Sequence, residues 1–171
     1  MSKILIAYYS RKDENYVSGE IKDLKVGNTE IVAKFIQEIT NGDLFEIEQA
    51  TPYSKNYNEC IEEARLDQKN NARPVLKNYL PNIDAYDEIY LGYPNYWNTM
   101  PMAVFTFLEK YDFSGKTIKP FCTNEGSGLG SSISDIKKLC PSAIIKKGLA
   151  LHGTTVTSSK KAVKEWIQNN K

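Results

Sequence analysis

The sequence predicts one three-layer α/β/α domain, in which helices cover both faces of a parallel sheet. Segments typical of strands and of helices alternate five times along the 171 residues, with no internal repeat and no linker. The first apolar run, residues 3–9, is continuous, as expected for a parallel strand that is covered on both faces. A chain of this length is sufficient for a single domain, residues 1–171, with a substantial core.

Charge and composition argue against several classes of protein. The formal net charge is +1, so no strong field attracts nucleic acid or an anionic membrane. No apolar run approaches the ~20 residues needed to span a bilayer, and the N-terminus lacks the pattern of a signal peptide. The cysteines Cys60, Cys122 and Cys140 are scattered, without the spacing of a disulfide framework or a zinc site. We therefore expect a cytoplasmic protein without a metal centre.

The first strand is followed by a polar insertion of about residues 12–26, in which a small hairpin is predicted around Ser18 and Gly19. The first helix then begins near Asn28 and ends at Asn41–Gly42, where a glycine favours termination. The apolar face of this helix consists of Ile31, Val32, Phe35, Ile36 and Ile39.

A second strand and a second helix come next. Residues 44–48 alternate between apolar and acidic side chains, which predicts a strand at the edge of the sheet. A helix is predicted over about residues 56–68, and residues 70–74 end it. The residues at helical spacing in this helix are Tyr57, Cys60, Ile61 and Ala64.

The third strand, residues 88–91, leads into the loop GYPNYWNTMP, residues 92–101. Pro101 then opens a helix over residues 102–108, because proline is well suited to the first helical turn. A fourth strand is predicted over residues 117–123, although Pro120 is unusual inside a central strand.

The last third of the chain predicts a short helix, a strand and a final helix. The short helix runs from Ile133 to Cys140, before Pro141, and the fifth strand covers residues 143–151. Ser158–Ser159 can cap the final helix. The apolar face of that helix consists of Ala162, Val163, Trp166 and Ile167.

Three loops leave the carboxyl ends of these strands, where α/β sheets bind their ligands. Ser10 and residues 27–29 offer hydroxyls and a helix N-terminus that attracts phosphate. Residues 92–101 offer the flat rings of Tyr93, Tyr96 and Trp97, and residues 124–132 offer a glycine-rich backbone that can approach a ring closely. Together they describe a site for flavin mononucleotide (FMN).

Each loop also has a purely structural interpretation. The rings can cap the core, Asn28 and Thr29 can cap a helix, and the glycine-rich loop can be a mobile connection. Neither GxGxxG after the first strand nor GxxxxGK[ST] is present, so the dinucleotide and nucleoside-triphosphate motifs are absent. The coincidence of three loops at one sheet edge favours the flavin site.

The motifs YYSR, VGNTEIVAKFI, LGYPNYWNTMPMAVFTFLEKYDFSGKTIKPFCT and EGSGLGSS extend over almost the whole chain. In these motifs the sequence resembles the flavodoxin-like superfamily, in particular a bacterial flavodoxin branch with a GYPxxWxTMP loop. The resemblance implies a five-stranded parallel sheet in the order 2-1-3-4-5 and one noncovalently bound FMN.

The resemblance also implies which residues bind the cofactor. The phosphate would be held by Ser10, Asn28 and Thr29, with Arg11 and Gly27 nearby. The isoalloxazine would be lined by Pro94, Asn95, Tyr96, Trp97, Asn98 and Thr99, with Met100 beneath it. Its other side would be closed by Thr123, Asn124, Glu125, Gly126, Ser127 and Gly128.

Two features depart from the usual flavodoxin pattern. The insertion of residues 12–26 interrupts the phosphate loop; we expect it to fold outward, although it could instead cover the phosphate. Glu125 would lower the reduction potential if its carboxylate lay close to the flavin, but we expect it to point to solvent.

The leading functional hypothesis is a flavodoxin-type electron carrier, because no acid–base constellation accompanies the predicted site. His152 is the only histidine and Cys122 is interpreted as a small buried hydrophobe, so no catalytic residue is predicted. The partner would be a redox protein or a small-molecule electron acceptor. The alternative is an NAD(P)H-dependent FMN reductase of quinones, flavins or nitroaromatics, which the near-neutral charge favours slightly because flavodoxin carriers are typically acidic.

Overall fold

The computed structural model of the chain describes residues 3–171. The strands are β1 (Ile4–Tyr8), β2 (Asp13–Val17), β3 (Glu20–Leu24), β4 (Asp43–Glu46), β5 (Glu88–Pro94), β6 (Thr117–Asn124), β7 (Ile144–Ile145) and β8 (Leu149–His152). The helices are α1 (Asn28–Thr40), α2 (Tyr57–Lys69), α3 (Met102–Lys110), α4 (Ser132–Leu139) and α5 (Lys160–Asn169), and a 3-10 helix covers Gly153–Ser158.

The main sheet is parallel throughout, in the order β4-β1-β5-β6, with β7 and β8 both paired to the outer side of β6. Since β7 and β8 together occupy the fifth position, this confirms the predicted flavodoxin-like order 2-1-3-4-5. The predicted continuous strand over residues 143–151 is wrong in one respect, because residues 146–148 leave the sheet between β7 and β8.

The interruption of the fifth strand has a local cause in α5. The backbone carbonyl of Lys147 accepts hydrogen bonds from the indole Nε1 of Trp166 (2.9 Å) and from Nδ2 of Asn170 (3.0 Å). These two bonds join residue 147 to α5 where the chain leaves the sheet. The strand resumes at Leu149, which pairs with Phe121.

Pro120 lies opposite this interruption, which explains how a proline is accommodated inside a central strand. The carbonyl of Ile118 accepts a hydrogen bond from the amide of Lys146 (2.9 Å). Backbone groups two residues apart point to the same side of a strand, so the nitrogen of Pro120 faces the gap at residues 146–148. No partner there requires the N–H that proline lacks.

The two faces of the sheet are covered by different helices, so the predicted three layers are confirmed. One apolar cluster joins alternate sheet residues such as Leu91 to α3 and α4 residues such as Phe107 and Ile136. The other joins Phe121 to the α1 and α5 side, including Trp166. Both faces are buried, as the continuous apolar strands predict.

The ends of α1 and α2 follow local side-chain chemistry. Asn41 terminates α1 in the left-handed region (φ 59), and a Cβ on Gly42 would lie only 2.8 Å from the Ile4 side chain. Asn56 caps α2 by accepting a hydrogen bond from the amide of Glu59 (3.0 Å). The predicted helix over about residues 56–68 is thus confirmed, beginning one residue later. Within residues 3–171, no helix has the length and apolar character needed for a bilayer crossing.

Candidate functional site

The three predicted loops converge on one cavity of about 370 Å³ at the carboxyl edge of the sheet. That volume lies in the range of about 300–1,000 Å³ that is usual for small-molecule sites. The predicted site residues that line it are Arg11, Asn28, Thr29, Pro94, Asn95, Tyr96, Trp97, Thr123, Asn124, Glu125 and Ser127.

The first loop closes across the insertion. The hydroxyl of Ser10 accepts a hydrogen bond from the amide of Glu30 (3.0 Å), so it caps α1 from the other side of the insertion. A Cβ on Gly27 would lie 2.2 Å from Oγ of Ser10 and 2.6 Å from the carbonyl oxygen of Arg11, so only glycine allows this approach. The amides of Asn28 and Thr29 have no acceptor within the helix and lie at its positive end. This loop is therefore suited to an anion.

Arg11 adds a positive charge to the same wall. Its guanidinium donates hydrogen bonds to the backbone carbonyls of Glu14 (2.9 Å), Ser54 (2.9 Å) and Lys55 (3.0 Å). Among residues 3–171 no carboxylate forms an ion pair with it. Its charge is thus available to a bound anion.

The aromatic loop forms a tight turn that presents Trp97. The backbones of Tyr96 and Thr99 bond to each other, and the two residues between them have positive φ angles, 51° at Trp97 and 76° at Asn98. A left-handed tryptophan is unusual and costs energy, as is common at functional sites. Its ring is 46% exposed, and its Nε1 donates to the carbonyl of Ile61 in α2 (2.9 Å).

Polar side chains fasten the three loops together. Asn95 donates from its backbone amide to the carbonyl of Thr123 (2.9 Å) and from Nδ2 to the carbonyl of Gly128 (2.8 Å). The buried hydroxyls of Thr29 and Thr123 are 2.8 Å apart. The cavity therefore has a wall whose parts are positioned relative to one another before any ligand binds.

The other predicted site residues do not line this cavity. Met100 is packed in the core, and the hydroxyl of Thr99 donates to Asp135 of α4. The carbonyl of Asn98 accepts from the amide of Ser131. Those that do not line the cavity are Ser10, Gly27, Asn98, Thr99, Met100, Gly126 and Gly128.

Glu125 does not point to solvent, so that expectation is wrong. Its Oε1 accepts a hydrogen bond from the amide of Ser18 (2.7 Å), which belongs to the insertion. Its Oε2 is buried without a hydrogen-bond partner, 3.2 Å from Nδ1 of His152. Long-range contact with the insertion, which no local pattern predicts, holds this carboxylate at the cavity.

Two buried side-chain polar atoms within residues 3–171 lack a hydrogen-bond partner, Oη of Tyr96 and Oε2 of Glu125. Both residues line this cavity. Burial raises the pKa of the Tyr96 phenol well above its ordinary value, so the hydroxyl stays protonated and can donate. Both atoms are fully enclosed, so they lie behind the cavity surface, and other atoms of Tyr96 and Glu125 form the lining.

Sequence reasoning missed one side of the cavity. The insertion folds into the predicted hairpin, with Ser18 (φ 55) and Gly19 (φ 77) at its turn, but it lies over the cavity, so the expectation that it folds outward is wrong. The missed lining residues are Asn15, Tyr16, Tyr57, Cys60, Ile61, Ala64 and Gly153. The helical spacing in α2 was a usable signal for part of this set, whereas nothing local indicated that the hairpin would lie at the cavity.

A second cavity of about 390 Å³ lies on the other side of the first loop and is lined by Glu30, Glu46 and Glu48. Asp13 also lines the second cavity, and these four carboxylates outnumber its cations Arg11, Lys12 and Lys77. The first cavity has one carboxylate, Glu125, and the free helix N-terminus, so it is the better phosphate site.

The same three glutamates are expected to lower the stability of the folded protein at neutral pH. Burial, and then the charges of Glu48 and Glu30, raise the pKa of Glu46 above its ordinary value. The folded state therefore holds this proton more tightly than the unfolded chain, and the ionised carboxylate lowers stability at neutral pH. We expect Glu46→Gln to raise the free energy of unfolding at pH 7 by roughly 0.5 kcal/mol.

Urea denaturation measures this effect, and the gain should vanish near pH 3, about one unit below the ordinary Glu pKa of ~4.3, because Glu46 is then protonated in both states. Glu165→Gln makes the same charge change on the exposed part of α5 and should have little effect at either pH. An equal gain in the free energy of unfolding for Glu46→Gln and Glu165→Gln would contradict the effect of burial and of the neighbouring Glu30 and Glu48 on Glu46.

The fold and the site define a class: a doubly wound α/β domain with a small-molecule cavity at the carboxyl edge of its sheet. Within that class the chain belongs to the flavodoxin family, since the family profile described as Flavodoxin matches residues 3–170. This membership confirms the predicted resemblance to the flavodoxin-like superfamily.

Solved structures support the assignment. A protein from Bacteroides eggerthii, classified provisionally as a flavoprotein, is 30% identical with a TM-score of 0.79, covering 99% of this chain and 98% of that one. A similarly classified protein from Bacteroides uniformis is 29% identical with a TM-score of 0.77, covering 98% of each chain. A flavoprotein from Lactobacillus acidophilus, in complex with FMN, shares the fold at 20% identity and a TM-score of 0.62, covering 94% of this chain and 99% of that one. No curated protein matches the sequence.

Proposed function

We propose that this flavodoxin-family protein is an electron carrier that binds one FMN noncovalently in the 370 Å³ cavity and exchanges electrons with a redox protein or a small-molecule acceptor. The observation that carries the proposal is the convergence, on that cavity, of the N-terminus of α1, the guanidinium of Arg11 and the aromatic rings of Tyr96 and Trp97. FMN is the cofactor of the Lactobacillus acidophilus flavoprotein complex, which shares this fold.

The chemistry of the cavity matches the parts of FMN. The amides of Asn28 and Thr29 and the guanidinium of Arg11 suit the phosphate. The rings of Tyr96 and Trp97 suit the isoalloxazine.

Bound FMN would supply reversible electron transfer, which no side chain of the protein can supply. The protein binds and orients the cofactor and limits its access to water. The wall fastened by Asn95, Thr29 and Thr123 gives it a fixed position. The partly exposed Trp97 lies at the rim, where an electron acceptor would approach.

The aromatic wall can be tested with two variants of Trp97. Trp97→Ala removes the ring and should weaken FMN binding about tenfold, or about 1.4 kcal/mol, as expected for the loss of one aromatic contact. Trp97→Phe keeps an aromatic ring but loses the hydrogen bond to Ile61, so it separates the two contributions. The measurement is quenching of flavin fluorescence during titration of the apoprotein. If both variants bind FMN as tightly as the unsubstituted protein, the Trp97 ring does not contribute to FMN binding.

The second candidate function is an NAD(P)H-dependent FMN reductase of quinones, flavins or nitroaromatics. It is favoured by the apolar and aromatic residues Tyr16, Tyr57 and Ile61, which extend the cavity beyond the three loops. Steady-state oxidation of NADH and NADPH by the FMN-loaded protein, with a naphthoquinone as acceptor, distinguishes the candidates. A carrier turns over slowly with either nucleotide, whereas rapid turnover would contradict the carrier and support the reductase.

A further inference from the structure

The hairpin formed by β2 and β3 spans the mouth of the cavity from one side to the other. Asn15 and Tyr16 of β2 line the cavity. At the tip, Ser18 reaches the opposite side, where its amide donates to Oε1 of Glu125 (2.7 Å) and its hydroxyl lies 2.9 Å from Oγ1 of Thr154. The tip is thus attached to residues more than a hundred positions away in sequence.

The root of the hairpin is fixed separately to the start of α2. The carboxylate of Glu14 accepts a hydrogen bond from the amide of Tyr57 (2.8 Å). The rings of Tyr16 and Tyr57 pack with centroids 6.1 Å apart. Arg11 holds the carbonyls of residues 54 and 55, as described above. The hairpin therefore has a firm root and a tip held by a few polar contacts.

The contacts at the tip are of a kind that opens readily. β2 and β3 pair only with each other, and an isolated two-stranded sheet is marginally stable. Val17 is the buried residue of the hairpin, while residues 20–23 are exposed. The bonds of Ser18 lie at the surface, where water can replace them. Asp13, at the root, has a left-handed backbone (φ 72), which marks the position where the chain turns into the hairpin.

We propose that the tip of the hairpin is a lid over the FMN site, latched by Glu125 and Thr154, and that this latch must open for FMN to enter or leave. This inference rests on the proposed binding of FMN in the cavity. The lid controls the rates of cofactor exchange, whereas the loops beneath it control affinity.

Thr154→Val tests the latch because Thr154 does not line the cavity. The variant loses the contact with Ser18 (2.9 Å) and the hydrogen bond to Oε1 of Glu125 (3.3 Å). A weaker latch opens more often with or without FMN, so the association and dissociation rates should both rise about threefold or more. Thr155→Val is the matched control, since Thr155 bonds only to the neighbouring His152 carbonyl and should leave both rates unchanged. If Thr154→Val changes neither the association nor the dissociation rate of FMN, or changes the dissociation rate alone, the proposed lid is overturned.

A disulfide between the hairpin tip and position 154 should hold the lid closed, which is the opposite of the change expected for Thr154→Val. Ser18→Cys combined with Thr154→Cys places two thiols where the hydroxyls are 2.9 Å apart. The native Cys60, Cys122 and Cys140 are buried and do not compete for mild oxidants. We expect the oxidised apoprotein to take up FMN at least tenfold more slowly than the reduced one, measured by stopped-flow fluorescence.

Equal uptake by the oxidised and reduced forms would overturn the lid. The two proposals fail in different ways in this experiment. If the unsubstituted protein does not bind FMN at equilibrium, the proposed function is refuted. If it binds FMN normally but the disulfide does not change the rate of FMN uptake, only the lid is refuted.

Discussion

Replacing Gly27 with alanine is expected to weaken FMN binding at least about 100-fold, or about 2.7 kcal/mol. The new Cβ would lie 2.2 Å from Oγ of Ser10 and 2.6 Å from the carbonyl of Arg11. The backbone of Gly27 is extended (φ −68, ψ 153), a conformation that alanine adopts freely, so the effect comes from crowding alone. The N-terminus of α1 must move away from the first loop, and its free amides are then no longer positioned for a phosphate.

Two comparisons make this prediction specific. Riboflavin lacks the phosphate, so Gly27→Ala should weaken its binding much less than that of FMN. Gly115→Ala is a control that should lower stability without touching the cavity. Gly115 has a left-handed backbone (φ 75), which alanine adopts at a cost, and no atom lies near the new Cβ. We expect this variant to be less stable and to bind FMN with unchanged affinity. Equal losses for FMN and riboflavin in Gly27→Ala would contradict the phosphate-binding role of this loop.

Gly92→Ala is expected to lower the free energy of unfolding by about 3 kcal/mol, at the upper end for overpacking a core. Gly92 lies in β5, directly opposite Phe121 of β6, and the Phe121 ring covers it. A Cβ there would lie 2.2 Å from Cζ of Phe121. The ring is fully buried against Trp166 of α5, so it cannot move aside without disturbing that helix.

A double-mutant cycle identifies the cause. Phe121→Leu alone should destabilise the protein by leaving a cavity, but combined with Gly92→Ala it should cost less than the sum, because the shorter side chain makes room for the methyl group. Urea midpoints at an unchanged m-value measure each variant. Additive losses would show that contact with the Phe121 ring is not what makes glycine necessary.

Those parts of the fold that depend on local pattern were predictable from the sequence. The continuous apolar strands predicted a sheet buried on both sides, and the order of strands and helices left few topologies. The common location of the three loops could also be predicted, because the carboxyl ends of parallel strands lie at the same edge of the sheet. Pro120 looked unfavourable only because the sequence does not show that its neighbour is interrupted.

The remainder depends on contacts between distant residues. The split of the fifth strand follows from the indole of Trp166 reaching the carbonyl of Lys147. The closed position of the hairpin follows from Ser18 bonding to Glu125, 107 residues away. Polar contacts of this kind leave no periodicity in the sequence, so neither the position of the hairpin at the cavity nor the contacts of Glu125 could be predicted from pattern alone.

The most direct test of the central claim is the visible absorption spectrum of the freshly purified protein, followed by release of the cofactor with acid and its identification by chromatography. A flavin spectrum that yields one FMN per chain is the expected result. A colourless protein that also fails to take up added FMN would contradict the assignment of the cavity as a flavin site.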